Sequence, residues 1–389
     1  MKILLCHNYY PFRGGEDVWV DDLDRLLTQR GHTVIRLSAD TRDSDNLNAL
    51  SLIGLGLEAI YSFRTVARVR ALVRAHRPDL AHAANVFPYL SPSLYHALAA
   101  CRVPVVQTFH NFRPFCPNGL CYVNGAVCLR CKDGHVWNAV IHRCVRQRVL
   151  PSLSYALAVG FAWLTGAYPR RIGAPIFLND FTAALWRDRT GLTPEVLGNY
   201  IDASAFTPRA SFDPRRLVYI GRLAPEKGLL TLLRAMTQLS DYHLDIIGDG
   251  LQEPVLRAFV QEHQLANVTF IGRLGPERFE RLSHALALIL PTESHEQFGL
   301  TLIEAYALGV PVVASRMGGI PSIVVDGQTG FLFPAGDDHA LVEAIRRLGA
   351  DPDRVRAMGQ AARQRVEAHY TPDAFYTRLM EIYARQTHF

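Results

Sequence analysis

Glu296-Gln-Phe-Gly-Leu-Thr-Leu-Ile-Glu304 follows Ala285-Leu-Ala-Leu-Ile-Leu-Pro-Thr292 with three residues between them. A short apolar run that ends in Pro reads as a buried strand that stops there. The spacing of Phe298-Gly-Leu-Thr-Leu-Ile-Glu-Ala-Tyr-Ala-Leu308 predicts a helix, closed by Gly309 and Pro311. A strand, a tight turn and a helix start form the unit of an α/β sheet. Free N–H groups at the helix start can receive an anion, and Glu296 and Glu304 can accept sugar hydroxyls on either side. A site that holds phosphate and polyol together suggests a sugar nucleotide.

A second segment supplies cations. In Arg215-Arg-Leu-Val-Tyr-Ile-Gly-Arg-Leu-Ala-Pro-Glu-Lys-Gly228 a buried strand runs into a Gly/Pro turn, and a helix follows from Leu229. Arg222 and Lys227 fall in the loop after the strand, where open α/β sheets bind ligands. Arg offers a planar fork and Lys a point charge, so together they can offset a diphosphate. Both are expected to be exposed when no ligand is bound.

Gly221-Arg-Leu-Ala-Pro-Glu-Lys-Gly228 and Glu296-Gln-Phe-Gly-Leu-Thr-Leu-Ile-Glu-Ala305 resemble the donor-binding motifs of retaining glycosyltransferases of family 4. So do Pro311-Val-Val-Ala-Ser-Arg-Met-Gly-Gly-Ile-Pro321 and Val325-Asp-Gly-Gln-Thr-Gly-Phe-Leu332. Lys2-Ile-Leu-Leu5, Gly14-Gly15 and Thr108-Phe-His-Asn111 fit the family's N-terminal pattern, so the resemblance covers nearly the whole chain. It implies an α/β chain of the GT-B fold, two doubly wound Rossmann-like domains facing a central cleft.

The implied chemistry is transfer of a hexose from a UDP- or GDP-linked sugar to an acceptor hydroxyl with retained configuration. On this resemblance Arg222 and Lys227 serve the diphosphate. Glu296 and the backbone of Phe298, Gly299 and Leu300 hold the sugar, Glu304 the ribose, and Gly272 and Arg273 lie beside the base. Gly14, Gly15 and His110 are placed near the reacting centre. No cofactor is implied for catalysis. The acceptor is expected to be a glycan, a lipid-linked intermediate or a small molecule, in bacterial cell-surface glycan or glycolipid assembly. A sugar-nucleotide epimerase of the same fold and a non-catalytic sugar-nucleotide-binding subunit are the alternatives.

The 389 residues suit two domains. Alternating strand-like and helical runs divide into residues 1–195 for the acceptor and 200–370 for the donor. Strands are expected at 2–6, 33–37, 80–84, 105–109 and 175–178, then at 217–220, 244–247, 268–271, 287–290 and 311–314. The linker is expected near Leu197-Gly-Asn-Tyr-Ile-Asp202. In the family fold, a last helix at about 372–389 returns to the first domain.

A net charge of +5 suits a phosphate-rich substrate or an anionic membrane and does not by itself call for nucleic acid. Residues 1–6 are too short an apolar run for a signal peptide and read as a first strand, which predicts a cytoplasmic protein, at the inner face of the membrane if it contacts one. Residues 149–169 carry no charge, but Pro, Ser, Thr and Gly dilute them; a buried or interfacial helix is expected rather than a membrane span. The Arg-rich helical pattern 64–74 suits a lipid surface as well as a solvated face.

Gly248-Asp-Gly250 follows a strand, but Glu253 stands where the dinucleotide fingerprint needs its third Gly. Asp22-Leu-Asp24, Asp43-Ser-Asp45 and Asp351-Pro-Asp353 have the spacing of metal-dependent sugar transferases, yet they fall in helical or turn contexts and read as surface carboxylates. Five Cys lie between Cys116 and Cys144 in a loop-rich insertion at about 111–148. Cys116, Cys128, Cys131 and Cys144 have a spacing that could build a structural zinc site, with His135 or His142 as substitute ligands and Cys121 left over; a set of free thiols is the alternative reading.

Overall fold

The computed structural model describes residues 1–9, 14–40 and 49–387, with backbone alone for 49–53. Asp43-Ser-Asp45 and the part of the Gly14–Gly15 loop at 10–13 lie outside the described residues. The chain forms two compact units. One comprises Met1–Val123, Cys128–Leu197 and the chain from Tyr376 onward; the other comprises Asn124–Val127 and Gly198–Phe375.

The strands of the first unit are β1 (Lys2–Tyr9), β2 (Thr33–Asp40), β3 (Leu80–Ala83), β4 (Val105–Phe109), β7 (Ala174–Phe177) and β8 (Glu195–Val196). Two short strands, β5 (Tyr122–Val123) and β6 (Ala126–Val127), fall in the cysteine-rich stretch. The main sheet is parallel in the order β2-β1-β3-β4-β7-β8. Its interior strands are buried along most of their length because helices cover both faces of such a sheet, and they carry the buried polar residues His7, Asn8, His82, Gln107 and Thr108. The chain's direction across this sheet reverses between β1 and β3, the place where doubly wound sheets open a ligand crevice.

Helices α1 (Gly15–Gln29), α2 (Ala49–Ile60), α3 (Phe63–His76), α4 (Ser93–Ala100), α5 (Asn138–Ile141), α6 (Val149–Leu164), α7 (Ala167–Arg171) and α8 (Asp180–Thr190) complete this unit. The uncharged run at 149–169 is therefore two helices broken at Gly166, which has φ +70°. Among the described residues no helix is long and apolar enough to cross a membrane. The end of the chain packs here through buried Tyr383, whose hydroxyl meets His82 Nδ1 at 2.5 Å.

In the second unit β9 (Arg216–Ile220), β10 (His243–Ile247), β11 (Val268–Gly272), β12 (Ala287–Leu290), β13 (Val312–Ser315) and β14 (Gly330–Phe333) form a parallel sheet. Its order is β11-β10-β9-β12-β13-β14. Counted within the unit this is 3-2-1-4-5-6, the dinucleotide-fold order, with its switch point between β9 and β12. Leu217, Val218, Leu288 and Ile289 are fully buried there, and each such side chain contributes about 1.5–3 kcal/mol by leaving water. The helices are α9 (Leu229–Met236), α10 (Glu253–Glu262), α11 (Glu277–Ser283), α12 (Leu300–Ala307), α13 (Ile320–Ile323), α14 (Asp338–Gly349), α15 (Pro352–His369) and α16 (Pro372–Thr387), the last of which runs on into the first unit's chain.

All ten expected strands occur, with ends shifted by up to three residues. The sequence reading missed β14 and the two-residue strands β5, β6 and β8. Gly330 opens β14 at φ +159°, and a Cβ there would lie 1.9 Å from the Val312 carbonyl oxygen, so the strand needs glycine where propensity disfavours one. Gly248 and Gly250 serve close packing too: added Cβ atoms would meet the carbonyls of Gly221 and Leu223 at 1.9 and 2.2 Å. The glycines let the β10 turn lie against the β9 turn.

Candidate active site

The second unit gathers Arg222, Lys227, Glu296, Gly299 and Glu304 around the C-terminal ends of β9 and β12, its switch point. After β9 the chain makes one 3-10 turn, Pro225–Lys227, and Gly228 takes φ +70° before α9 starts. A Cβ on Gly228 would sit 1.9 Å from the Pro291 carbonyl oxygen, so the two loops touch through backbone. Glu226 ties them further, its carbonyl accepting from Glu293 N and Thr292 Oγ1, both at 2.9 Å.

Lys227 is not a free loop cation. Its Nζ donates to Glu296 Oε2 at 2.6 Å, and the two side chains are only 22% and 18% exposed. The expectation of an exposed lysine is corrected on this point: the loops bury its stem and give it a carboxylate. Arg222 does project outward, 60% exposed, and pairs with Glu226 on its own turn. Tyr219 OH holds the Arg222 carbonyl at 2.9 Å, which fixes where that side chain leaves the backbone.

Phe298 is buried, and Gly299, at φ +79°, turns the chain into α12 at Leu300, two residues later than the apolar spacing suggested. The first N–H groups of α12 therefore open beside Glu296 and the Lys227 turn, a ready anion site. One helical turn further, Glu304 accepts from Arg278 Nη2 at 2.9 Å. Burial raises the Glu304 carboxyl above its usual value, and Arg278 works against that rise. Gly272, at φ +81°, ends β11, and exposed Arg273 follows it.

Sequence reasoning did not find Arg278, Glu226 or Glu293, whose Oε1 accepts from Thr231 Oγ1 at 2.6 Å. Their placement depends on loop folding that no periodicity records. The motif at 311–321 contains Gly318, to which sequence reasoning gave no role of its own; it lies against the Glu296 backbone. The neighbouring Gly319 N–H donates to the Glu296 carbonyl at 2.7 Å.

The first unit collects a second cluster at its own strand ends. Gly14 caps α1, and its N–H donates to Asp17 Oδ2 at 2.9 Å. The other oxygen, Asp17 Oδ1, lies 2.8 Å from His7 Nε2, and both side chains are buried. Asn85 N–H donates to His7 Nδ1 at 3.3 Å, which leaves the His7 proton on Nε2, directed at Asp17. His7 and Asp17 thus brace the Gly14–Gly15 turn. Their signal in the sequence was a polar residue near the end of a strand.

His110 follows β4, with its ring 4.3 Å from that of Trp19. Its Nε2 is buried without a protein partner. Burial, with His7 and His82 adding repulsion, lowers its pKa to about 3, so the ring is a neutral hydrogen-bonding group at neutral pH. His82 is lowered to about 3 by burial alone. An unfolded histidine titrates near 6.5, so the unfolded chain takes up these protons first. The stability contribution is complete above about pH 6.5 and falls as pH drops toward 3, by about 1.4 kcal/mol per pH unit for each ring. Urea unfolding between about pH 7 and about pH 5 is expected to show this loss; a pH-independent midpoint would contradict it.

The aspartate pairs within the described residues have other work. Asp22 pairs with Arg25 at 2.7 Å, and Asp24 with Arg36. Asp351 caps α15 by accepting from Asp353 N and Arg354 N at 3.1 Å. Cys116, Cys128, Cys131 and Cys144 line one small cavity, and all seven cysteines are reduced. Their soft donor chemistry suits zinc. In this arrangement Cys116 Sγ turns to Asn118 Oδ1 at 2.9 Å, and among the described residues no three Cys, His, Asp or Glu side chains are grouped to hold a metal ion. The four-ligand set expected from spacing is not assembled here.

Residues 13–205 match the family model described as Glycosyltransferase Family 4, and residues 203–365 that described as Glycosyl transferases group 1. Glycogen synthase of Mycobacterium tuberculosis is 28% identical over 98% of this chain and 94% of its own length. A GDP-mannose-dependent monoacylated alpha-(1-6)-phosphatidylinositol monomannoside mannosyltransferase of Corynebacterium glutamicum is 30% identical, over 58% of this chain and 67% of its own. Among solved structures, Anabaena HepE in complex with UDP superposes with a TM-score of 0.70 at 17% identity, covering 99% of this chain and 100% of that one. With both halves matched in order, and both sheets wound as in such enzymes, the chain belongs to glycosyltransferase family 4 and has the GT-B fold.

Proposed function

We propose that this glycosyltransferase moves a hexose from a nucleotide diphosphate sugar to an acceptor hydroxyl with retention of configuration and without a catalytic metal. The observation that carries the reading is the pairing of Lys227 with Glu296 at the β9–β12 switch point, beside the open N-terminus of α12. Arriving diphosphate competes with Glu296 for Lys227, which frees the carboxylate to accept sugar hydroxyls. Arg222, outward on its turn, adds a second charge for the phosphates. Glu304, held by Arg278, is placed to accept ribose hydroxyls, and Gly272 and Arg273 border the base. UDP bound to the similar structure, and the GDP-mannose dependence of the mannosyltransferase relative, both support a nucleotide sugar as donor.

In the step itself the bond from the sugar's anomeric carbon to the diphosphate breaks as the acceptor oxygen bonds the same face of that carbon. The acceptor's proton passes to the departing phosphate oxygen. The protein's part is positioning and electrostatic stabilisation. His110, neutral and with Nε2 unpartnered, offers a hydrogen bond to a sugar or acceptor hydroxyl. The acceptor class we favour is a lipid-linked glycan intermediate at the inner face of the cytoplasmic membrane.

Incubating the protein with labelled UDP- and GDP-hexoses and following product anomer by NMR tests the reading; an inverted product overturns it. Transfer is expected to survive EDTA, since cationic side chains and helix N–H groups serve the diphosphate. Loss of transfer restored by Mg²⁺ or Mn²⁺ would contradict this. Zinc content and unfolding measured in the same sample separate any metal held by the cysteines from the chemistry.

A further inference from the structure

We infer that the α2–α5–α6 face of the first unit is a docking surface for an anionic lipid bilayer. The inference rests on the surface alone and holds whichever sugar is moved. Leu150, Leu157 and Leu164 recur every seven residues, so they share one stripe of α6. They are 68%, 37% and 90% exposed. On one side of that stripe Ser154 lies against Gly56 of α2, where an added Cβ would come within 2.7 Å of its Oγ, and Phe161 meets Tyr61 with ring centroids 5.9 Å apart. On the other side Gly160 faces Val136, just ahead of α5. The leucine stripe therefore runs along the outer side of α6 between two flanking segments.

Those flanks carry further exposed apolar side chains. Leu57 on α2 is 64% exposed, Phe63 at the start of α3 is 80%, and Trp137 and Ile141 at α5 are 56% and 72%. Scattered exposed leucines need no explanation, but a contiguous apolar face on neighbouring helices does.

Charge identifies the occupant. Residues 134–179 contain Arg143, Arg146, Arg148, Arg170 and Arg171 and no Asp or Glu. Residues 49–76 contain Arg64, Arg68, Arg70 and Arg74 against the single acid Glu58. Arg64, Arg70, Arg74, Arg143, Arg146 and Arg148 are all exposed. Exposed apolar side chains and exposed arginines on the same stretches of chain, almost without carboxylates, match a surface that is apolar within and anionic at its headgroups. A second copy of this chain would bring the same positive charge to the contact and be repelled.

Flotation of the full chain with vesicles tests this. The protein is expected to rise with phosphatidylcholine–phosphatidylglycerol vesicles and to stay behind with phosphatidylcholine alone, and high salt is expected to release most of it. Leu150→Ser with Leu164→Ser is expected to weaken partition roughly tenfold, and Arg64→Gln with Arg70→Gln to weaken it on anionic vesicles only. These side chains are exposed, so the fold is expected to persist, as circular dichroism would verify. Donor binding by calorimetry without lipid is expected to be unchanged in both variants, so a failed transferase assignment and a failed docking face give different results. Equal partition of wild type and both variants, or no flotation, overturns the inference. So does a dimer in solution that the double serine variant dissociates, because the face is then an interface between copies.

Discussion

Replacing Lys227 by alanine is expected to cost about 2–4 kcal/mol of transition-state stabilisation, read as a fall in kcat/KM for transfer. Two effects add. The departing diphosphate loses a fixed positive charge in a site only partly open to water. Glu296 loses the ammonium 2.6 Å away and keeps its negative charge close to the incoming phosphates. Arg222→Ala is expected to fall at the lower end of the range, because Arg222 is 60% exposed and solvent screens it. Lys227→Arg restores the charge but not the compact ammonium, so partial recovery is expected. Stability does not separate the pair: Lys227→Ala leaves Glu296 unpaired and Arg222→Ala leaves the buried Glu226 unpaired, so both are expected to lower the melting temperature. Wild-type turnover in Lys227→Ala would remove these residues from the mechanism.

The strand run 285–292, its Pro stop and the helical spacing after it were legible because burial leaves a periodic trace in sequence. The same holds for Arg222, Lys227, Glu296 and Glu304, which sit at fixed offsets from strand ends. What stays illegible is pairing between loops. Nothing local to Glu304 announces Arg278, and nothing local to His7 announces that Asp17, on a helix, brings its two oxygens to His7 and Gly14 at once. The exposure of Lys227 was misjudged for the same reason, since its partner lies 69 residues away. In the cysteine insertion, spacing brought four thiols around one cavity, but spacing does not dictate the side-chain directions that would make a ligand set.

Gly318→Ala is expected to reduce transfer about a hundredfold, the scale for misplacing a reactive group by about an ångström. Gly318 has φ +58°, and an added Cβ would lie 2.4 Å from the Glu296 carbonyl oxygen, 2.7 Å from Glu296 N and 3.0 Å from the His295 carbonyl carbon. All three are backbone atoms, so no side-chain rotation relieves the clash and the Glu296 segment itself must move. That movement breaks the Gly319 N–H bond to the Glu296 carbonyl and pulls the carboxylate from Lys227. Gly327→Ala is the control for backbone strain alone: φ is +77° there, and nothing lies within 4 Å of the added atom. Its expected cost is about 1–2 kcal/mol of stability with transfer unchanged. Donor affinity by calorimetry, read beside the melting temperature, compares the two variants. Equal losses of stability with equal, undiminished donor binding would show that the Glu296 segment tolerates the displacement and that its position does not govern transfer.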